Sequence, residues 1–203
     1  MSPILLFFFV AIIEYGYAAG AYLNANAAVA DGLRVASVMG NNPTADWEII
    51  QAVKGSVGGR ENISVEKIVV FKAQNGSSTA PLACTAGTTR VTNLTTMVVN
   101  GVTLPGFGAC NGYTGPLDFP EPQANAHFYG CGAPRHASAD NRSRGYCPND
   151  RNTAFVGPTN TSGPDFIGVY VRYKHELITG LFGDDITFEV TSITRVEPTE
   201  VGN

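Results

Sequence analysis

The chain has 203 residues, enough for one ordinary domain or for one domain with an anchoring element. Charged residues make up 15%, hydrophobic residues make up 44%, and the formal net charge is −4. This composition excludes an intrinsically disordered chain, and the acidic balance argues against a nucleic-acid binder, which needs a basic surface. The 23 glycines and 12 prolines argue against a helical bundle and favour a β or α+β fold.

The N-terminal segment is almost free of charge. Residues 3–13 read PILLFFFVAII, and the next charged residue after Glu14 is Asp31. A membrane-spanning helix needs about 20 mostly apolar residues, so this segment predicts one, with residues 5–30 in the bilayer or in a helix-packed core. A signal peptide begins with a basic region, but no Lys or Arg precedes this apolar run. We therefore expect that the chain was processed or that its real start lies upstream.

The same helix is predicted to continue to Met39. Residues 18–39 are rich in Ala, Leu and Val and contain no proline, whereas Gly40-Asn41-Asn42-Pro43 is a strong helix stop. A helix over residues 3–39 would be about 55 Å long, which is more than a bilayer requires. We therefore expect residues 25–38 to lie outside the hydrocarbon and to pack on another part of the protein.

Glu14 is the one carboxylate in the apolar half of this helix. Carboxylates inside membranes are rare and usually mark a pairing or a function. Two interpretations are open: Glu14 reaches water near the interface, or it pairs with another chain in an assembly. Gly16 and Gly20, one turn apart, form a small-residue face that lets helices approach closely. These three residues and Tyr15 are the predicted helix-packing and assembly site.

The remaining regular structure is predicted to be a short helix and three strands. The helix covers residues 44–53, with Thr44 as its N-cap and Trp47, Ile50 and Val53 on one face. Strands are predicted over residues 63–72, 166–175 and 186–196 from their β-branched content and alternating pattern. The last two strands form an antiparallel hairpin, and the long helix covers the resulting small sheet.

A loop-rich insert at about residues 74–164 separates the first strand from that hairpin. It is crowded with Gly, Pro, Asn, Ser and Thr. Residues 91–104 predict a hairpin around an Asn100-Gly101 turn, but residues 105–164 show almost no periodicity. A structureless stretch of that length needs a restraint inside a compact domain.

The cysteines supply that restraint. All four lie in the insert, at Cys84, Cys110, Cys131 and Cys147. An even number behind an export-type helix predicts two disulfides, and the sequence leaves all three connectivities open. The alternative is a zinc site with mixed nitrogen and sulfur ligands, but the spacing is not that of a standard finger or ribbon. Its ligands would be His127, Cys131, His136 and Cys147.

Catalytic and cofactor-binding motifs are weak. The sequence has no G-x-S-x-G elbow, no phosphate-binding loop and no H-E-x-x-H helix. His136, Ser138 and Asp140 have the letters of a catalytic triad, but within five residues they are more typical of a solvated loop. A calcium site is an alternative use of Asp140, Asn141, Asn149, Asp150 and Asn152, although their spacing misses the EF-hand pattern. We therefore predict no enzyme activity, no metal and no cofactor.

Two segments resemble a known family. Residues 4–40 combine a bulky apolar run, then Glu14-Tyr15-Gly16, an Ala- and Asn-rich stretch, and Asp31-Gly32-Leu33-Arg34. This order resembles the start of TadE-like proteins, the minor pilins or pseudopilins of bacterial tight-adherence (Tad) pili. Residues 169–198 are similar to the closing hairpin of the same family, and the four-cysteine insert has no counterpart there.

The resemblance implies a non-enzymatic protein that takes part in assembling an adhesive pilus. It implies a single span in the bacterial cell membrane, a head outside the cytoplasm, and processing by a prepilin peptidase upstream of Pro3. Partners would be the membrane and other pilins or pilus-assembly proteins, and the subunit could itself enter the pilus. Residues 1–40 would be the assembly helix, and residues 41–203 an extracytoplasmic α+β head.

The alternative function is a signal-anchored extracytoplasmic binding or adhesion module that uses the cysteine-rich insert. Oligomeric behaviour distinguishes the two, because only a pilin-like subunit should co-purify with other pilins. A secreted hydrolase is a third class, and the motif search supports it least.

Overall fold

The computed structural model describes residues 3–57, 62–85, 96–99, 102–105, 110–115, 143–144, 146–155 and 163–198. The fold is α+β, as predicted, with a long N-terminal helix, a second helix and an antiparallel sheet. In chain order the elements are α1 (Pro3–Met39), α2 (Ala45–Val57), β1 (Ile63–Ala73), α3 (Leu82–Thr85), β2 (Thr96–Val99), β3 (Val102–Pro105), β4 (Cys110–Thr114), β5 (Ser143–Arg144), a 3-10 turn (Pro148–Asp150), β6 (Phe166–Glu176) and β7 (Asp185–Arg195).

Helix α1 ends where the sequence predicts. Gly40 follows it with φ at 49°, a left-handed conformation that suits glycine, and its N–H donates to the Ala36 carbonyl at 3.3 Å. A Cβ atom at Gly40 would also lie only 3.0 Å from Thr153 and 3.1 Å from Val196. The stop therefore serves both the helix cap and the close packing of the chain around it.

Helix α2 begins one residue later than predicted and ends four residues later, at Val57. Thr44 lies at the predicted cap position, but its hydroxyl donates to Asn42 Oδ1 at 2.9 Å. Trp47, expected on the packed face, is only partly buried. The buried side chains of α2 are Ala45, Asp46, Ile49, Ile50, Val53 and Val57.

The sheet has five strands in the order β5-β4-β1-β6-β7, and every neighbouring pair is antiparallel. Strands β1, β6 and β7 lie where the sequence predicts them. Strands β4 and β5 come from the insert, in which no periodicity predicts a strand. They add to the free side of β1, so the insert extends the sheet. The predicted hairpin of the insert is also present, since β2 pairs with β3 in a separate two-stranded sheet.

Both faces of the sheet are covered. One face of β6, which includes Val169 and Val171, packs under α1 and α2 in the main core. The opposite face forms a second cluster around Val69, Phe71 and Tyr170, closed by both cysteines of a disulfide. The sequence pattern predicts only the first of these cores.

The chain after β7 returns to the end of α1. The Glu197 N–H donates to the Ser37 carbonyl at 2.9 Å, and the Ser37 hydroxyl donates to the Arg195 carbonyl at 3.2 Å. Val196, between them, is 1% exposed. We call this set, Ser37 with Arg195–Glu197, the C-terminal clamp. It fixes the C-terminal end of β7 to the C-terminal end of α1.

Candidate assembly helix and its contacts

Helix α1 has one face buried against the rest of its own chain. The face begins at Glu14 and repeats every three or four residues down to Gly40, the spacing that keeps side chains on one side of a helix. Its members are small or apolar apart from Glu14, so the helix packs closely. A Cβ atom at Gly32, for example, would lie 2.7 Å from Val53 Cγ2 of α2. The buried residues are Glu14, Ala18, Ala21, Ala25, Ala28, Val29, Gly32, Leu33, Ala36 and Gly40.

The opposite face of α1 carries no other part of the described chain. Ile12 is 68% exposed and Leu23 is 69% exposed, and both lie on this side of the helix. A Cβ atom added to Gly16 or to Gly20 would meet nothing within 4 Å. We call the stripe formed by Ile12, Gly16, Ala19 and Leu23 the open face. It is apolar and shallow, the surface type that allows close helix–helix approach.

The first ten residues of α1 extend beyond the packed face. Residues 4–9 are all large, apolar and exposed, and Ile12 and Ile13 continue the pattern. By length and composition α1 can span a membrane: its most apolar 18-residue window has a mean hydropathy of 1.9, with 17% of that window buried. Of the predicted span, residues 14–30 pack with one face on α2 and on the sheet of the same chain; their placement in a bilayer or in a helix-packed core stays a prediction.

Glu14 is enclosed by its own chain. It is 2% exposed, and its Oε1 accepts a hydrogen bond from the Thr179 N–H at 3.2 Å. Its Oε2 has no hydrogen-bond partner among the described residues. The donor comes from the turn between β6 and β7, whereas the sequence analysis looked for one in an adjacent chain. The assembly role of Glu14, Tyr15, Gly16 and Gly20 stays a prediction.

The predicted disulfide bonding is confirmed in the part of the insert that the structure describes. Cys84 of α3 pairs with Cys110 of β4, and both are fully buried in the second core. Cys147 is also disulfide-bonded. Cys131 lies outside the described residues, as do His127 and His136 of the zinc alternative. Within the described segments, no group of three His, Cys, Asp or Glu side chains is placed to hold a metal ion.

We expect the second disulfide to join Cys131 and Cys147. The sequence has four cysteines, and the Cys84–Cys110 bond leaves Cys131 as the partner for Cys147. Proteolysis of the unreduced protein followed by mass spectrometry should give two crosslinked peptide pairs and no alkylated thiol. Recovery of Cys131 as an alkylated free thiol from natively exported protein would contradict the pairing.

A buried ion pair fixes the insert to α2, and the sequence analysis missed it. The guanidinium of Arg151 contacts the carboxylate of Asp46, and both side chains are fully buried. Asn111 Nδ2 at 2.6 Å and the Tyr113 hydroxyl at 2.7 Å donate to the other oxygen of Asp46. Arg151 also lies over the ring of Tyr146, 4.9 Å from its centre. Three side chains, from β4 and from the residue after the 3-10 turn, therefore meet at one carboxylate of α2.

A second carboxylate extends this network. The Tyr146 hydroxyl donates to Asp165 at 3.1 Å, and Lys72 pairs with the same side chain at 2.8 Å. Burial is the largest cause that raises the pKa of Tyr146, so its hydroxyl stays protonated and available as a donor. The network holds the insert against α2 and the sheet. Among the described residues it contains no nucleophile paired with a base, so we assign it no catalytic role.

The first 34 residues match the model of a family described as TadE-like protein. The match covers the exposed apolar segment and most of the packed face of α1, and it confirms the resemblance noted in the sequence. It relates the chain to pilus-associated, non-enzymatic proteins of the Tad type. No curated protein and no solved structure matches the chain.

Proposed function

We propose that this chain is a membrane-anchored minor pilin or pseudopilin that takes part in the assembly of a Tad-type adhesive pilus. The observation that carries the proposal is the two-sided character of α1. One side is occupied by the chain's own head, and the open face is apolar, shallow and not covered by any other residue that the structure describes. A subunit that packs on other helices needs a shallow face of small residues, whereas a helix that only anchors a head needs only an apolar surface toward lipid.

Two further observations support this location and role. The Cys84–Cys110 disulfide favours an oxidising compartment, consistent with a head outside the cytoplasm. The family match falls on residues 1–34, which contain the exposed segment and the open face. Partners are therefore other pilins or pilus-assembly proteins that pack on α1, and the membrane around residues 4–13.

Gly16 provides the cleanest test of the open face. Gly16→Leu places a side chain in space that no described atom of this chain occupies, and leucine favours a helix interior over glycine by roughly 0.5–1 kcal/mol. We expect the variant to insert and to unfold no more easily than the parent. Its co-purification with partner pilins from crosslinked membranes should be lost, because the new side chain blocks close helix contact.

Gly55→Leu is the matched control. Gly55 is also a helical glycine with nothing within 4 Å, but it lies on α2 of the head. The control should co-purify like the parent. If Gly16→Leu does so as well, the open face is not an assembly surface, and an anchored binding module becomes the better description. Substitution of Glu14 is a weaker test, since it would also disturb the contact with Thr179.

A further inference from the structure

The turn between β6 and β7 has an unusual composition for an exposed connection. Residues 177–184, called the β6–β7 loop here, read LITGLFGD and contain four large apolar side chains. Ile178 is 55% exposed and Leu181 is 60% exposed. Connections in water are usually built from Gly, Pro, Asn, Asp and Ser. The exposed apolar surface of this loop therefore needs an occupant.

The loop lies against the exposed apolar segment of α1. The ring of Phe182 is centred 5.1 Å from that of Phe7 and 5.8 Å from that of Tyr15. Together with the Thr179 hydrogen bond to Glu14, these contacts fix the tip of the loop at the level of Phe7–Tyr15. The apolar surface of the loop is thus continuous with that of residues 4–13.

The residues at the base of the same loop are charged. Lys174 and Asp185, at the ends of β6 and β7, form an ion pair at 2.8 Å, and Glu176 between them is exposed. On α1 two exposed tyrosines, Tyr15 and Tyr17, follow directly after the apolar segment. Tyrosine is enriched where a membrane protein crosses from hydrocarbon to headgroups. Helix and loop therefore change from apolar to polar at about the same level.

We propose that the β6–β7 loop is a second membrane contact, with its tip in the acyl region beside α1 and its charged base among the headgroups. This inference rests on the proposed function, which places the exposed segment of α1 in the membrane. The proposal also explains how a carboxyl group, that of Glu14, is accommodated next to the apolar segment of α1. The loop covers this carboxyl and supplies a backbone donor, so Glu14 does not face lipid even though apolar residues surround it in the sequence.

Bromine-quenched tryptophan fluorescence tests the proposal. The full chain, with Trp47→Phe, is reconstituted into vesicles of phosphatidylethanolamine and phosphatidylglycerol with brominated acyl chains. One tryptophan is then placed in the loop (Leu181→Trp), in α1 (Leu5→Trp) or on the head (Leu82→Trp). Leu82, which is 80% exposed on α3, is the matched apolar control. We expect Leu181→Trp and Leu5→Trp to lose most of their emission and Leu82→Trp to keep it.

Each other outcome identifies a different error. Quenching at Leu5→Trp but not at Leu181→Trp overturns the loop contact and leaves membrane anchoring intact. Equal quenching at Leu181→Trp and Leu82→Trp overturns a loop-specific contact. Blue-shifted but unquenched emission at Leu181→Trp, in membranes that contain partner pilins, would assign the loop to a protein surface. If Leu5→Trp is also unquenched, the membrane part of the proposed function is wrong.

Discussion

Replacing Asp46 with alanine is expected to lower the free energy of unfolding by about 3–5 kcal/mol, the usual cost of removing one partner of a buried ion pair. Arg151 would keep its charge in a site with no exposed surface. Asn111 and Tyr113 would each lose one hydrogen bond at the same time. Urea unfolding in detergent, followed by the fluorescence of Trp47 on the same helix, measures the change.

Asp185→Ala is the control for this substitution. Asp185 also pairs with a cation, Lys174, but both side chains are about one-third exposed. Exposed pairs contribute about 0–1 kcal/mol, so the control should unfold almost like the parent. A loss below 1 kcal/mol for Asp46→Ala would mean that water reaches the pair, and the pair would then not be what fixes the insert to α2.

Gly168→Ala is expected to destabilise the protein by roughly 3 kcal/mol, at the upper end of overpacking costs. Gly168 of β6 lies opposite Phe71 of β1, and an added Cβ atom would lie 2.5 and 2.6 Å from Cε1 and Cε2 of that ring. Phe71 is fully buried, so its ring has no free space to enter. Gly76→Ala, in open space, should change stability by no more than about 0.5 kcal/mol.

A double-mutant cycle separates ring contact from a general effect on the strand. Phe71→Leu removes the ring, so Gly168→Ala should cost less in that background, with a coupling energy of about 0.5–3 kcal/mol between the two positions. Additive losses would show that alanine is unfavourable at Gly168 for a reason other than Phe71.

The elements that could be predicted are those whose evidence is local. The end of α1 follows from Gly40 and Pro43, and β6 follows from alternation over residues 166–175, so both appear within one residue of their predicted bounds. Strand β4 could not be predicted, because Cys-Asn-Gly-Tyr-Thr has no strand pattern. Its residues are held by distant partners: Cys110 bonds Cys84, and Asn111 bonds Asp46 and Tyr146.

The candidate site shows the same division. Its small-residue pattern and its single carboxylate are visible in the first 20 residues, and Gly16 indeed lies on an uncovered side of α1. The donor to Glu14 is 165 residues away in sequence, at Thr179, and no motif marks it. No motif marks Asp46 and Arg151 either, because their pairing depends on how the insert folds back over α2.

The C-terminal clamp has a mechanical consequence. Strand β7 runs from the β6–β7 loop to Arg195 alongside α1, and the clamp joins its end to the helix at Ser37. Hydrogen bonds between antiparallel strands lie across the strand direction. A force that pulls on α1 along its axis therefore loads the eleven-residue β6–β7 ladder in shear, with its bonds strained together and not opened one after another. Under the proposed function, drag on a head held by its helix would load the sheet in this direction, in which the bonds of the ladder share the force.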